Sequence, residues 1–149
     1  MLIVEIKTRL DDIGLLERQI AWYERSAAAV AARYGWRPVR ILSWVLVLAS
    51  EEVETAIRAN REVLAVAFAG RAPTMQSVVE GGVGDAHGHR ALALIDPASR
   101  RRRWLIRSRS DGRRSPAPYR DYADAATRLG IGWDARIGRP ETHDSHSRA

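Results

Sequence analysis

Glu5 and Lys7 are the residues from which chemistry can first be read. They stand two apart in the run L-I-V-E-I-K at residues 2–7, which is apolar and β-branched before its first charge and reads as a mostly buried strand. Side chains two apart on a strand share a face, so Glu5 and Lys7 point one way while Val4 and Ile6 point into the opposite layer. An acid and a base are thereby aimed into one cleft, the beginnings of acid–base or charge-stabilising chemistry.

Lys7 carries a second signal. The chain has 24 basic residues, of which 23 are arginine and one is this lysine. Under such a skew, which fits a GC-rich genome, a lysine that only carries charge tends to become arginine. A surviving lysine therefore suggests a need for a compact, movable ammonium. An acidic-x-basic pair on a strand is also how a solvated face or a surface ion pair looks, so the neighbouring elements must decide.

Asp11 and Asp12 offer an N-cap and an acidic start to a long helix with Ile13, Leu16, Ile20, Tyr23, Ala27, Val30, Ala31 and Tyr34 at helical spacing. Gly35 supplies its stop, and Pro38 lies beyond it. Residues 40–49, R-I-L-S-W-V-L-V-L-A, are too continuously apolar for a half-exposed strand and read as a central one covered on both faces. Ser50 can cap a following helix whose stripe runs from Val53 through Ile57 and Leu64 to Phe68, before Gly70 and Pro73. Strand, helix, strand, helix is the alternation of an α/β sheet.

The strand bearing E-x-K, the long helix and the buried strand together resemble the second half of the PD-(D/E)XK core of restriction-endonuclease-like nucleases. The likeness covers residues 1–49. Gln19 and Tyr23, one helical turn apart on one face, match the Q-x-x-x-Y that follows the active-site strand in RecB-like members. The resemblance implies a Mg²⁺- or Mn²⁺-dependent nuclease hydrolysing phosphodiesters of DNA, with RNA as a second substrate. In it Glu5 and the carbonyl of Ile6 would be metal ligands, and Lys7 would position or activate water and meet the growing charge. Gln19 would border the site, and Tyr23 would contribute to it or support it. Taken alone, Gln19 and Tyr23 read as helix surface and core edge.

The family pattern also requires an Asp from a preceding strand, whereas four residues precede Glu5. The expectation is an N-terminally truncated core with an incomplete site. Three completions are conceivable: an upstream start, an Asp from another subunit in a homo-oligomer, or an Asp from later in the chain. Asp96, which closes an apolar run, is a candidate for the last, although its position before Pro97 reads more strongly as a turn. Asp11 and Asp12 are better explained as helix caps.

Residues 74–88, with glycines at 81, 82, 84 and 88, read as a loop. Residues 90–96 and 102–108 read as a β-hairpin, residues 119–129 as a short helix, and residues 139–149 as a polar, disordered tail. Between Arg100 and Arg114 lie eight arginines and one acid, +7 by count against +6 for the whole chain. Arg100, Arg101, Arg102, Arg103, Arg107, Arg109, Arg113 and Arg114 could neutralise phosphates, and Trp104 could stack on a base. The alternative is a solvated basic hairpin with Trp104 in the core.

Zero cysteines exclude disulfides and thiolate chemistry. The four histidines lack metal-binding spacing, and no glycine-rich phosphate loop follows a strand. With no apolar run near bilayer length and no signal peptide, a cytoplasmic protein without a membrane partner is expected. The expected architecture is α/β: a partial restriction-endonuclease-like core at residues 1–70, a glycine-containing linker at 71–89, a basic β-hairpin and short helix at 90–130, and a polar tail at 131–149. The function expected first is a metal-dependent nuclease-like domain. The alternative is a noncatalytic nucleic-acid-binding or transcription-regulatory module that retains the fold.

Overall fold

The computed structural model describes residues 1–81, 89–102, 104–108 and 116–131. Strand β1 (Leu2–Lys7) leads through helix α1 (Ile13–Arg33) to strand β2 (Leu42–Leu48), which lies parallel to it. A parallel pair needs such a crossover, and α1 supplies it. Asp12 caps α1 by accepting a hydrogen bond from the Leu15 amide at 2.8 Å. Gly35 ends the helix at φ +73°, and the Trp36 amide turns back to the Ala31 carbonyl at 3.0 Å.

After β2, Ser50 caps helix α2 (Glu51–Ala59), accepting from the Val53 amide at 3.2 Å. The single helix expected through Phe68 is in fact two, because α3 (Arg61–Ala67) starts anew after Asn60. The Asn60 side-chain amide donates to the Ala56 carbonyl at 2.9 Å, the same oxygen its backbone N–H uses at 3.1 Å. An asparagine that bonds the local backbone in this way competes with helix continuation.

The stretch from Thr74 expected as loop is corrected as well, since α4 (Ala72–Val79) is helical. Pro73 falls in its first turn, where a missing N–H breaks no helical bond, so a residue that looked like a stop is part of a start. Of the glycines read as marking a loop, 82, 84 and 88 lie outside the described residues. Strand β3 (Arg90–Ile95), the two-residue strand β4 (Leu105–Ile106) and helix α5 (Tyr122–Arg128) complete the order.

The four strands form one sheet in the order β1-β2-β3-β4, with the first two pairings parallel and the last antiparallel. The basic hairpin therefore extends the sheet of the N-terminal half. On one face, Ile20 of α1, Val53 and Ile57 of α2 and Leu64 of α3 pack on Val45, Val47, Leu92 and Leu94. On the other, Ala72 and Met75 of α4 pack on Trp44, Leu46, Ala91 and Ala93. The chain passes between faces at Gly70, whose amide donates to the Arg90 carbonyl at 2.9 Å. A Cβ there would stand 2.6 Å from that of Ala91, so the crossing admits only glycine.

β2 is buried along its length, as its continuous apolar run implies. β1 is different. It is an edge strand, and Leu2, Val4 and Ile6 face solvent, Ile6 at 66% exposure. This corrects the expectation of a mostly buried strand. α4 covers β2 to β4 on that face, and among the described residues no helix lies over β1 there.

Candidate active site

β1 and α1 bring the four residues that the E-x-K and Q-x-x-x-Y resemblance singled out into one hydrogen-bonded cluster. Glu5 pairs with Val45 and Lys7 with Val47, so both side chains share the face on which Val45 and Val47 meet α1. Lys7 Nζ lies 2.8 Å from Glu5 Oε1. Gln19 joins them from above, donating from Nε2 to Glu5 Oε1 at 3.3 Å and accepting at Oε1 from Lys7 Nζ at 3.3 Å. The same Nε2 donates to the Tyr23 hydroxyl at 2.7 Å. Gln19 thus uses both ends of its amide, oxygen toward the ammonium and nitrogen toward the carboxylate and phenol, which fixes its orientation. The Glu5 side chain is 16% exposed and that of Lys7 34%, so the charges are partly withdrawn from water yet reachable.

Two openings flank the cluster. Beyond Lys7 is a cavity of about 140 Å³ bounded by Leu10, Asp11, Asp12 and Gln19. On the far side of Glu5 a groove of about 360 Å³ runs between β1 and α1, bordered by Met1, Ile3, Trp22, Tyr23 and Val30. Trp22 and Tyr23 lie with ring centroids 5.4 Å apart. The Leu42 amide bonds the Met1 carbonyl at 2.9 Å. By the alternation of a parallel ladder, the carbonyls of Leu2, Val4 and Ile6 point away from β2 to the free edge. The Ile6 carbonyl is accessible by this rule.

These groups do not by themselves fit a divalent ion. Among the described residues no three His, Cys, Asp or Glu side chains come together to hold a metal. Glu5 is one carboxylate, and its Oε1 already faces the Lys7 ammonium and the Gln19 amide. Mg²⁺ needs near-octahedral oxygen coordination, which one carboxylate and one carbonyl supply poorly. Asp96 does not complete the set: it directly follows β3, which is separated from β1 by the whole of β2. Its Oδ1 accepts from the Tyr119 hydroxyl at 2.7 Å and from the Ala98 amide at 3.0 Å, which makes it a turn and docking residue. Burial and this carboxylate push the Tyr119 phenol up to about 12. Asp12 is the helix cap described above, and Asp11 is exposed.

The structure separates the basic hairpin from the cluster. Arg100, Arg101 and Arg102 are exposed in the link from β3 to β4, and Arg107 is exposed after β4. That strand is at the opposite edge of the sheet from β1, about 14 Å away at the usual strand spacing. Trp104 is half-buried and packs against the α4-side core. Arg103, Arg109, Arg113 and Arg114 lie outside the described residues, as do three of the four histidines.

Three features escaped the reading by spacing. Arg9 ion-pairs with Glu52 at 3.2 Å beside a cleft of about 790 Å³ that Thr55, Arg120 and Asp121 also border. The α2 amides that could receive an anion there are already bonded to the Tyr119 and Arg120 carbonyls at 2.9 and 3.1 Å. Arg90 grips Glu24 in a two-pronged pair, with Nη2 to Oε2 at 2.6 Å and Nε to Oε1 at 2.9 Å. The Arg90 guanidinium holds the Glu24 carboxyl below its ordinary range against the opposing effect of burial. The third is Trp22, an indole 58% exposed on a helix flank. No known protein family, curated protein or solved structure matches this chain.

Proposed function

We propose that this chain is a nuclease-like domain whose Glu5–Lys7–Gln19–Tyr23 cluster acts on the phosphodiester backbone of DNA. One observation carries the reading: an E-x-K pair on a strand and a Q-x-x-x-Y pair on the next helix, singled out in the sequence by their resemblance to the nuclease pattern, are joined in a single network of contacts between 2.7 and 3.3 Å. In that network Gln19 holds the Lys7 ammonium beside Glu5 at a solvent-reachable point. There it could meet the negative charge that grows on a phosphate under attack. A metal would bind only where a further carboxylate joins Glu5, from an upstream segment or from a second copy.

A second reading is favoured by the closed Glu5–Lys7 contact and by the absence of a three-ligand cluster among the described residues. On this reading the domain binds nucleic acid without cutting it.

Cleavage of labelled single- and double-stranded DNA in Mg²⁺ or Mn²⁺ separates the two. The nuclease reading expects cleavage that EDTA stops and that Lys7→Ala lowers about 100-fold or more. Cleavage indifferent to Lys7→Ala would overturn it. Binding with no cleavage, by this chain and by a version carrying any upstream segment, would establish the second reading.

A further inference from the structure

We propose that the groove between β1 and α1 receives an unpaired nucleobase stacked on Trp22, which makes single-stranded nucleic acid the ligand of this domain. The inference rests on reading Glu5 and Lys7 as a phosphodiester site, and it adds which form of nucleic acid reaches them.

The groove leads to Glu5. Trp22 and Tyr23 border it with Ile3 and Glu5, and its volume of about 360 Å³ accommodates a base. An indole 58% exposed on a helix that buries Ile20, Ala27 and Ala31 is not serving the core. Aromatic faces of this kind hold bases without regard to sequence, because every base offers a π-face.

The charges on the same flank complement a polyanion. At 100° per residue, Arg18, Trp22, Arg25 and Arg33 fall within an arc of about 80°. The arginines repeat at about 10 and 12 Å along the helix. All three are exposed, and none forms an ion pair among the described residues. The acids of α1 lie outside that arc: Glu17 is half-buried, and Glu24 is held by Arg90. A helix that sorts its cations around an exposed Trp, beside a groove ending at a carboxylate–ammonium pair, fits a strand whose phosphates follow α1 and whose base enters the groove. A duplex keeps its bases stacked on one another and has none to insert.

The test is fluorescence anisotropy of fluorescein-labelled oligo-dT, alone and annealed to oligo-dA, with the full chain in EDTA. The single strand is expected to bind more tightly than the duplex. Trp22→Ala should weaken single-strand binding about 5- to 100-fold and leave duplex binding unchanged, with Trp22→Phe retaining most of the affinity. The double variant Arg18→Gln/Arg25→Gln should flatten the salt dependence by about one unit per arginine. Circular dichroism of Trp22→Ala should match the parent, since the side chain is exposed.

Unchanged single-strand affinity in a folded Trp22→Ala, or equal losses for both probes, would overturn the proposal. So would sedimentation showing that Trp22→Ala turns a dimer into a monomer, because the groove would then seat a second copy. The readout is binding without metal, so it can fail while Lys7-dependent cleavage stands, and it can succeed where cleavage is absent.

Discussion

Two carboxylate–cation pairs lie under the same helix, and they are built in opposite ways. Glu24 of α1 and Arg90 of β3 meet through a planar fork, reach across Ser43 of β2, and tie the crossover helix to a strand 66 positions away. Glu5 and Lys7 meet at one point on a single edge strand and are tied to α1 through the Gln19 amide. The first pair has the geometry of a clamp: two parallel bonds, side chains each about a quarter exposed, and a carboxyl pulled clearly toward its ionised form. The second leaves its lysine a third exposed and engages a glutamine and a tyrosine that also face open grooves. Carboxylate–cation pairs can thus be built differently within one fold. What distinguishes these two is whether the contact joins strands across the sheet to the helix and whether it borders a groove, as Lys7 and Glu5 do.

The contrast can be broken experimentally, most forcefully at Lys7. Lys7→Ala should cost about 100-fold or more in any cleavage the domain performs while lowering stability less than Arg90→Ala does, because Gln19 still donates to the Glu5 carboxylate. A large stability loss from this variant in urea titrations would make Lys7 a second clamp and erase the difference. Arg90→Ala should do the reverse, lowering stability by about 1–3 kcal/mol because it leaves a partly buried carboxylate without its partner. Its effect on oligonucleotide binding should be small.

Acid sharpens the same distinction. Glu24 has a folded pKa below its ordinary 4.5, so its stabilisation is complete above that value and is lost as pH falls through the lowered folded value. Thermal unfolding followed below pH 4.5 should therefore show a decline that Glu24→Gln flattens. The Asp96–Tyr119 contact gives the alkaline counterpart. With the phenol raised to about 12 from 10, its contribution is full below pH 10 and fades between 10 and 12. Tyr119→Phe should remove that alkaline dependence and cost about 1 kcal/mol at neutral pH. The smallest effect is expected on the bare face of β1, where Ile6→Lys should change stability by less than about 0.5 kcal/mol. It should reduce any concentration-dependent association seen by sedimentation, since a charge on an open edge opposes strand pairing.

Much of the candidate cluster was legible because it depends on local periodicities. A spacing of two puts Glu5 and Lys7 on one strand face, a spacing of four puts Gln19 and Tyr23 on one helix flank, and a short crossover leaves few ways for the two to meet. The helix caps at Asp12 and Ser50 and the glycine stop at Gly35 were legible for the same reason. The misreadings fall where a local signal is ambiguous. Pro73 serves equally as a helix stop and as a first-turn residue, and Asn60 breaks a helix through a side-chain bond that spacing does not reveal.

By itself, then, the sequence determined the strands and the long helix α1, the central place of β2 and the shared faces of the acid, base, amide and phenol, because backbone geometry repeats every 2.0 or 3.6 residues. Tertiary structure alone decided the rest. An apolar run such as L-I-V is the same string whether its face is covered or bare, and only the placement of α4 leaves Leu2, Val4 and Ile6 in solvent. Glu24 and Arg90 are unremarkable in isolation and become a clamp only through the order of the strands. The same order sets the arginine-rich hairpin at the edge farthest from Lys7, a separation that arises from strand pairing and that no local pattern encodes.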